Sequence, residues 1–254
     1  MTTRTALLTT LALCLGLSAS AADKPPLKVV MLSGAFEYQS AKSCAILAKH
    51  LEATLGAKCT ILQAKKKQGD DVPGMEALDT ADLMVVFMRR QSLKGDQLDR
   101  FKRYATSGKP IVGVRTASHA VQTWLAFDKE VQGGNYKGHF GHSQGTIVSL
   151  CHDKLSHPIL RGVLPFRSKG GMYRNTGLAK NCDILAYGEI RTVPPNTPNI
   201  APTVHREPIA WTRPYKGGRI FYTSLGHQDD FKDASFLRLL TNAVLWTTGR
   251  EPTE

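Results

Sequence analysis

Two hydrophobic patterns alternate along the first half of the chain. Short continuous apolar runs fill Leu27–Ser33, Lys58–Leu62, Asp82–Met88 and Ile111–Arg115. Runs of this length suit strands covered on both faces, as in a parallel sheet. Between them, apolar residues recur at helical spacing. Cys44, Leu47, Ala48, Leu51 and Leu55 follow Ser40, read as an N-cap, and stop at Gly56. Gly95–Ser107 carries Leu98, Phe101 and Ala105 on one side, and Ala117–Ala126 reads as a third helix. The second half is richer in strands and less regular. Its strands are expected at Thr146–Leu150, Ile184–Ile190, Pro208–Thr212 and Arg219–Ser224. A closing helix, Ala234–Thr247, has Phe236, Leu239, Leu240, Ala243 and Val244 as its buried stripe.

This order predicts an α/β fold with a single doubly wound, mostly parallel sheet of the flavodoxin-like type and a more irregular, strand-rich second half. Ligands of such sheets bind at the carboxyl ends of the strands. That rule selects Phe36, Glu37 and Tyr38; Arg89, Arg90 and Gln91; Arg115, Thr116, Ser118 and His119; and Gly226, His227, Asp229 and Asp230.

The extreme N-terminus follows a different pattern. Arg4 is the only charge in the first 22 residues, Leu7–Leu17 is apolar, and Ala19-Ser20-Ala21 offers a small-residue cleavage site. Residues 1–21 thus read as a secretory signal peptide and 22–254 as one mature domain, exported, and periplasmic in a Gram-negative host. The chain is strongly basic, with 33 Lys+Arg against 21 Asp+Glu and a net charge of +12. Export removes the nucleic-acid partner that this excess would otherwise suggest. Lys65-Lys66-Lys67 also lacks interleaved aromatics. No later run is long enough to span a bilayer, so no membrane partner is expected after cleavage. An oxidising compartment permits disulfides among Cys44, Cys59, Cys151 and Cys182. Their pairing is open, with Cys151–Cys182 the first to examine and Cys44 reading as a buried thiol on a helix face. A homo-oligomer is left open.

Several chemistries fail on residue type. No G-x-G-x-x-G, G-x-x-x-x-G-K-[ST] or H-E-x-x-H occurs. Histidines in glycine-bearing loops remain. Gly133-Gly134-Asn135-Tyr136-Lys137-Gly138-His139 lets backbone approach a ligand closely and places His139 as an acid, base or metal ligand. Gly226-His227-Gln228-Asp229-Asp230 sets an imidazole beside two carboxylates. An aspartate there would orient His227, join it on a metal, or cap the final helix.

Three segments together carry a family resemblance. They are Glu207-Pro208-Ile209-Ala210-Trp211-Thr212-Arg213 with Gly218–His227, Gly113-Val114-Arg115-Thr116-Ala117-Ser118-His119-Ala120, and the Gly133–Tyr136 loop with His139. Phe36-Glu37-Tyr38 fits as well. The chain resembles the ThuA-like (trehalose utilisation) family. The resemblance implies a fold similar to class I glutamine amidotransferases and a role in the use of disaccharides or keto-sugars, with a small carbohydrate as partner. In the amidotransferases the turn after the central strand carries a nucleophilic cysteine. Here that turn is Val114-Arg115-Thr116, so thiol chemistry is not expected.

An enzyme on this plan would use His139 or His227 as acid/base, with Asp229 holding the imidazole. Arg115, Arg89 and Arg90 would polarise a carbonyl or carboxylate, and Glu37, Tyr38 and Asn135 would bind hydroxyls. His119 and Arg213 would complete the substrate site. A divalent metal on His119, His139, His227 or Asp229 is the accompanying cofactor expectation. The alternative is a non-catalytic sugar-binding or scaffold protein on the same fold.

Overall fold

A computed structural model describes residues 25–141, 145–193 and 201–251. The leader expected at residues 1–21 lies outside these residues. Nine strands form one sheet: β1 (Lys28–Gly34), β2 (Lys58–Gln63), β3 (Leu83–Met88), β4 (Ile111–Val114), β5 (Thr146–Leu150), β6 (Phe166–Ser168), β7 (Asp183–Thr192), β8 (Thr203–Tyr215) and β9 (Gly218–Thr223). Three helices accompany them: α1 (Ser40–Leu55), α2 (Gly95–Ala105) and α3 (Ala234–Thr247).

The strand order is β2-β1-β3-β4-β9-β8-β7-β5-β6. The pairs from β2 through β9 are parallel, and every pair from β9 through β6 is antiparallel. The expectation of a mostly parallel sheet is therefore corrected: the sheet is mixed. Antiparallel β8 and β9 are joined by the tight turn at Lys216-Gly217, with both residues in the left-handed region. Antiparallel strands need only such a turn, so no crossover helices follow.

In the parallel half, alternation along each strand feeds two cores. Val29, Met31, Val85, Phe87 and Val112 face α1 and α3, packing with Leu47, Leu51, Phe236 and Leu240. Val30, Leu32, Met84, Val86 and Ile111 face the other way, toward Phe101, Tyr104 and Phe127. Both faces are buried, which is why these strands read as unbroken apolar runs.

Three local expectations change. Ser40 opens α1 without capping it; its hydroxyl instead accepts from Ala35 N and pairs with Ser33 Oγ. Asp233, not Asp229 or Asp230, caps α3, accepting from Ser235 N and Phe236 N. The helix expected over Ala117–Ala126 is replaced by 3-10 turns at Arg115–His119 and Gln122–Trp124 and a π-helical turn at Asp128–Gln132. All four cysteines among the described residues are free thiols, so the Cys151–Cys182 pairing is also corrected. Burial pushes the Cys44 thiol up to about 12.

Candidate functional site

The strand-end rule brings the rim together around Arg115. This residue follows β4 directly and sits at φ 46, a strained conformation for a side chain other than glycine. The residue is 1% exposed. It donates to Ser224 O at 2.8 Å, to Gly171 O at 3.2 Å and to Tyr38 Oη at 3.3 Å. The Tyr38 and Tyr173 rings flank it at 4.4 and 4.7 Å. Burial works against its charge, but Tyr173, Tyr38 and Asp230 outweigh that and raise its pKa. Arg115 therefore pins β1, β9 and the Gly171–Tyr173 segment to one another and faces no open space.

On one side of this pin lies a cleft of about 470 Å³. Arg90, Ser118, His119, Asp128, Lys129, Asn135, Tyr136 and Lys137 are among its lining residues. A larger hollow of about 520 Å³, with His50, Leu164 and Arg238 in its walls, lies between α1 and α3 and contains none of the strand-end residues. The His119 ring stacks on Tyr136 at 4.5 Å, and its Nδ1 lies 3.0 Å from Ser118 Oγ. Burial, then Arg90, Arg89 and Arg115, hold its pKa down to about 3. The imidazole is thus neutral across the physiological range.

Asp128 is the residue the sequence reading missed. It is 6% exposed, and burial pushes its carboxyl up to about 6. Its Oδ2 accepts from Tyr136 N at 3.0 Å, and its Oδ1 has only a 3.4 Å contact from Gln132 Nε2. That is thin compensation for a buried charge. The local sequence hides it: Asp128 opens the charged run Asp128-Lys129-Glu130, whose other two members are exposed. Arg213 holds this segment from behind, donating to the carbonyls of Lys129, Glu130 and Val131, while Trp211 Nε1 donates to Gln132 O. Arg213 is a brace for the turn, not part of the cleft wall.

The paired glycines serve the protein rather than a ligand. Gly133, at φ 73, packs on Cys182 Sγ. Gly134 lies so close to Asp128 Oδ1 that a Cβ there would collide with it. Asn135 donates to Thr176 O at 2.7 Å, and Glu207 on β8 holds Thr176 through its backbone N–H and hydroxyl. The Glu207 of the sequence signature thereby sets Asn135 in place.

The remaining candidates lie elsewhere. Glu37 joins Arg89 at 2.9 Å and Lys67 at 2.8 Å. Burial works against its charge, but these cations hold its pKa below the usual value. His139 is exposed, with Nδ1 donating to Phe140 O at 2.7 Å. His227 accepts from Asp229 N at 3.3 Å, and its Nδ1 is 3.6 Å from Asp229 Oδ2. Asp229 itself pairs with Lys232 at 2.7 Å. Neither His139, His227 nor Asp229 lines the cleft. Among the described residues, no group of three or more His, Cys, Asp or Glu is placed to hold a metal ion, so the four metal candidates do not form a site. Among the same residues, no helix is long and apolar enough to cross a membrane.

The family model for ThuA, described as trehalose utilisation, matches residues 28–247. Comparison with curated proteins gives no match. Among solved structures, a protein described as ThuA-like from Bacteroides uniformis shares 20% identity at a TM-score of 0.64, covering 93% of this chain and 97% of that one. Another described as ThuA-like, from Parabacteroides merdae, shares 19% at 0.65, covering 91% and 93%. A cytoplasmic protein from Salmonella typhimurium shares 12% at 0.55, covering 87% and 99%. At these identities the structures speak to fold alone.

Proposed function

We propose, from the premise that this chain belongs to the ThuA (trehalose utilisation) family, that it is an enzyme acting on a disaccharide or keto-sugar in the cleft beside Arg115. The family supports a role in carbohydrate utilisation. One observation carries the enzymatic reading: a buried carboxyl with a pKa of about 6, Asp128, lines the cleft together with a neutral imidazole. A carboxyl poised there changes protonation near neutral pH, as proton transfer requires. Neutral His119 offers one ring N–H or lone pair to a substrate hydroxyl or carbonyl, and Asn135 and Tyr136 present further polar groups to the ring. This replaces the histidine-centred arrangement expected from the loops: His139, His227 and Arg115 do not share the cleft. No step is assigned to a metal. The leader-like residues 1–21 support export, which N-terminal sequencing of protein secreted by a bacterial host would test.

The test of the enzyme is turnover across a panel of disaccharides and their 3-keto forms, with Asp128→Asn beside the parent. We expect a pH–rate limb near 6 and a loss of about 100-fold or more in Asp128→Asn. Unchanged turnover in that variant contradicts the assignment of Asp128. A second reading, a non-catalytic sugar-binding protein, is favoured by the sealed Arg115 where an amidotransferase-like elbow would expose a nucleophile. Sugar binding without turnover across the panel would establish it.

A further inference from the structure

The cleft carries a charge imbalance that a neutral sugar would leave unused. Arg90, Lys129 and Lys137 line it. Among the described residues no carboxylate lies in salt-bridge range of these three, whereas Arg89 and Lys67, outside the cleft, share Glu37. The carboxyl in the wall, Asp128, accepts from Tyr136 N, and even when ionised it sets one negative charge against three cations. His119 adds no positive charge, yet Arg90 and Arg89 both depress its pKa, so the positive field reaches the cleft floor. Arg90 is also preset. It sits at φ 49, its backbone N donates to His119 O at 2.8 Å, and its Nη1 donates to Gln122 Oε1 at 2.9 Å. An excess of one sign in the walls draws in opposite charge. A guanidinium fork matches the oxygens of a carboxylate or phosphate.

We propose that the cleft binds an anionic carbohydrate, a sugar bearing one carboxylate or phosphate, with Arg90, Lys129 and Lys137 on the acid group and Asn135, Tyr136 and His119 on the ring. The proposal rests on the carbohydrate reading and narrows it.

Calorimetric titration of the mature chain tests it with four probes: glucuronate, glucose 6-phosphate, glucose and inorganic phosphate, each at low and high salt. The expected result is that at least one acidic sugar binds about 10-fold or more tightly than glucose. That advantage should shrink at high salt. It should also fall in the double variant Lys129→Gln, Lys137→Gln, whose two positions are exposed and whose fold is checked by circular dichroism. A preference for glucuronate assigns the acid group as carboxylate, and one for glucose 6-phosphate as phosphate; either supports the proposal. Glucose binding as tightly as both acids overturns it and leaves the carbohydrate reading standing. Inorganic phosphate binding as tightly as glucose 6-phosphate, with glucose and glucuronate silent, overturns both.

Discussion

Two loops flank the Arg115 pin, and each is organised around a buried aspartate. In the loop after β9, Asp230 Oδ2 accepts from Ser168 Oγ at 2.7 Å and from Gly226 N and His227 N, each at 2.9 Å. Across the pin, Asp128 has one backbone donor at a normal distance and one long side-chain contact. One oxygen of the first carboxylate thus collects three donors and shapes its loop. The second is undersupplied with donors, beside open space, and its pKa rises to about 6. The same residue type is thus a structural staple where donors converge, and where they do not its burial raises the pKa.

The most disruptive way to test this contrast is to pull the pin. Arg115→Met would leave Ser224 O and Gly171 O without their donor inside a packed wall. We expect a loss of about 3–5 kcal/mol in urea denaturation. A loss under about 1 kcal/mol would mean the two loops hold themselves without it.

Next come the aspartates as a pair. Asp230→Asn removes the charge from an acceptor of three donors and should cost about 2–3 kcal/mol at pH 7. Asp128→Asn keeps an acceptor for Tyr136 N and relieves an under-compensated charge, so it should be neutral or stabilising at pH 7. The pH dependence follows from the direction of the shift. Because the folded pKa of Asp128 lies above the unfolded value of 3.8, its stabilising contribution is complete below about 4 and is lost as pH rises through 6. Parent stability should therefore carry an Asp128 component that falls by up to about 3 kcal/mol over that window. The component should vanish in Asp128→Asn. Parallel denaturation curves at pH 4, 5, 6 and 7 for the two proteins check this, and identical pH slopes would contradict it.

Gly134→Ala sharpens the same point from the neighbouring backbone. A Cβ there meets the Asp128 carboxylate, so the loop must shift, at about 1–3 kcal/mol and with weakened sugar binding. The smallest effect is expected on the other loop's surface. Lys232→Ala breaks an exposed pair with Asp229, and thermal denaturation should not change measurably.

The parallel half of the sheet was legible because both its faces are buried, so its strands stand out as unbroken apolar runs. In the antiparallel half the strands β5, β7, β8 and β9 were legible, but β6, with only three residues, and the antiparallel directions were not, because a tight turn in place of a crossover helix leaves no long-range mark in the sequence. Part of the rim was legible: Arg90, Ser118 and His119, picked by the strand-end rule, and Asn135, from the glycine-bearing loop, do line the cleft. The conspicuous histidines misled, because His139 and His227 engage neighbouring backbone groups rather than the cleft. Asp128 was hidden because its burial depends on a π-helical turn braced by Trp211 and Arg213, both distant in sequence. No local pattern encodes that contact.

Asp128 is expected to exchange a proton near neutral pH in the folded protein. Carbon-13 NMR titration of the side-chain carboxyls, with Asp128→Asn to assign the resonance, measures it directly. A midpoint near 6 is expected for the signal missing from the variant; a midpoint at or below about 4, the ordinary range for an aspartate, would rule out a proton-exchanging Asp128.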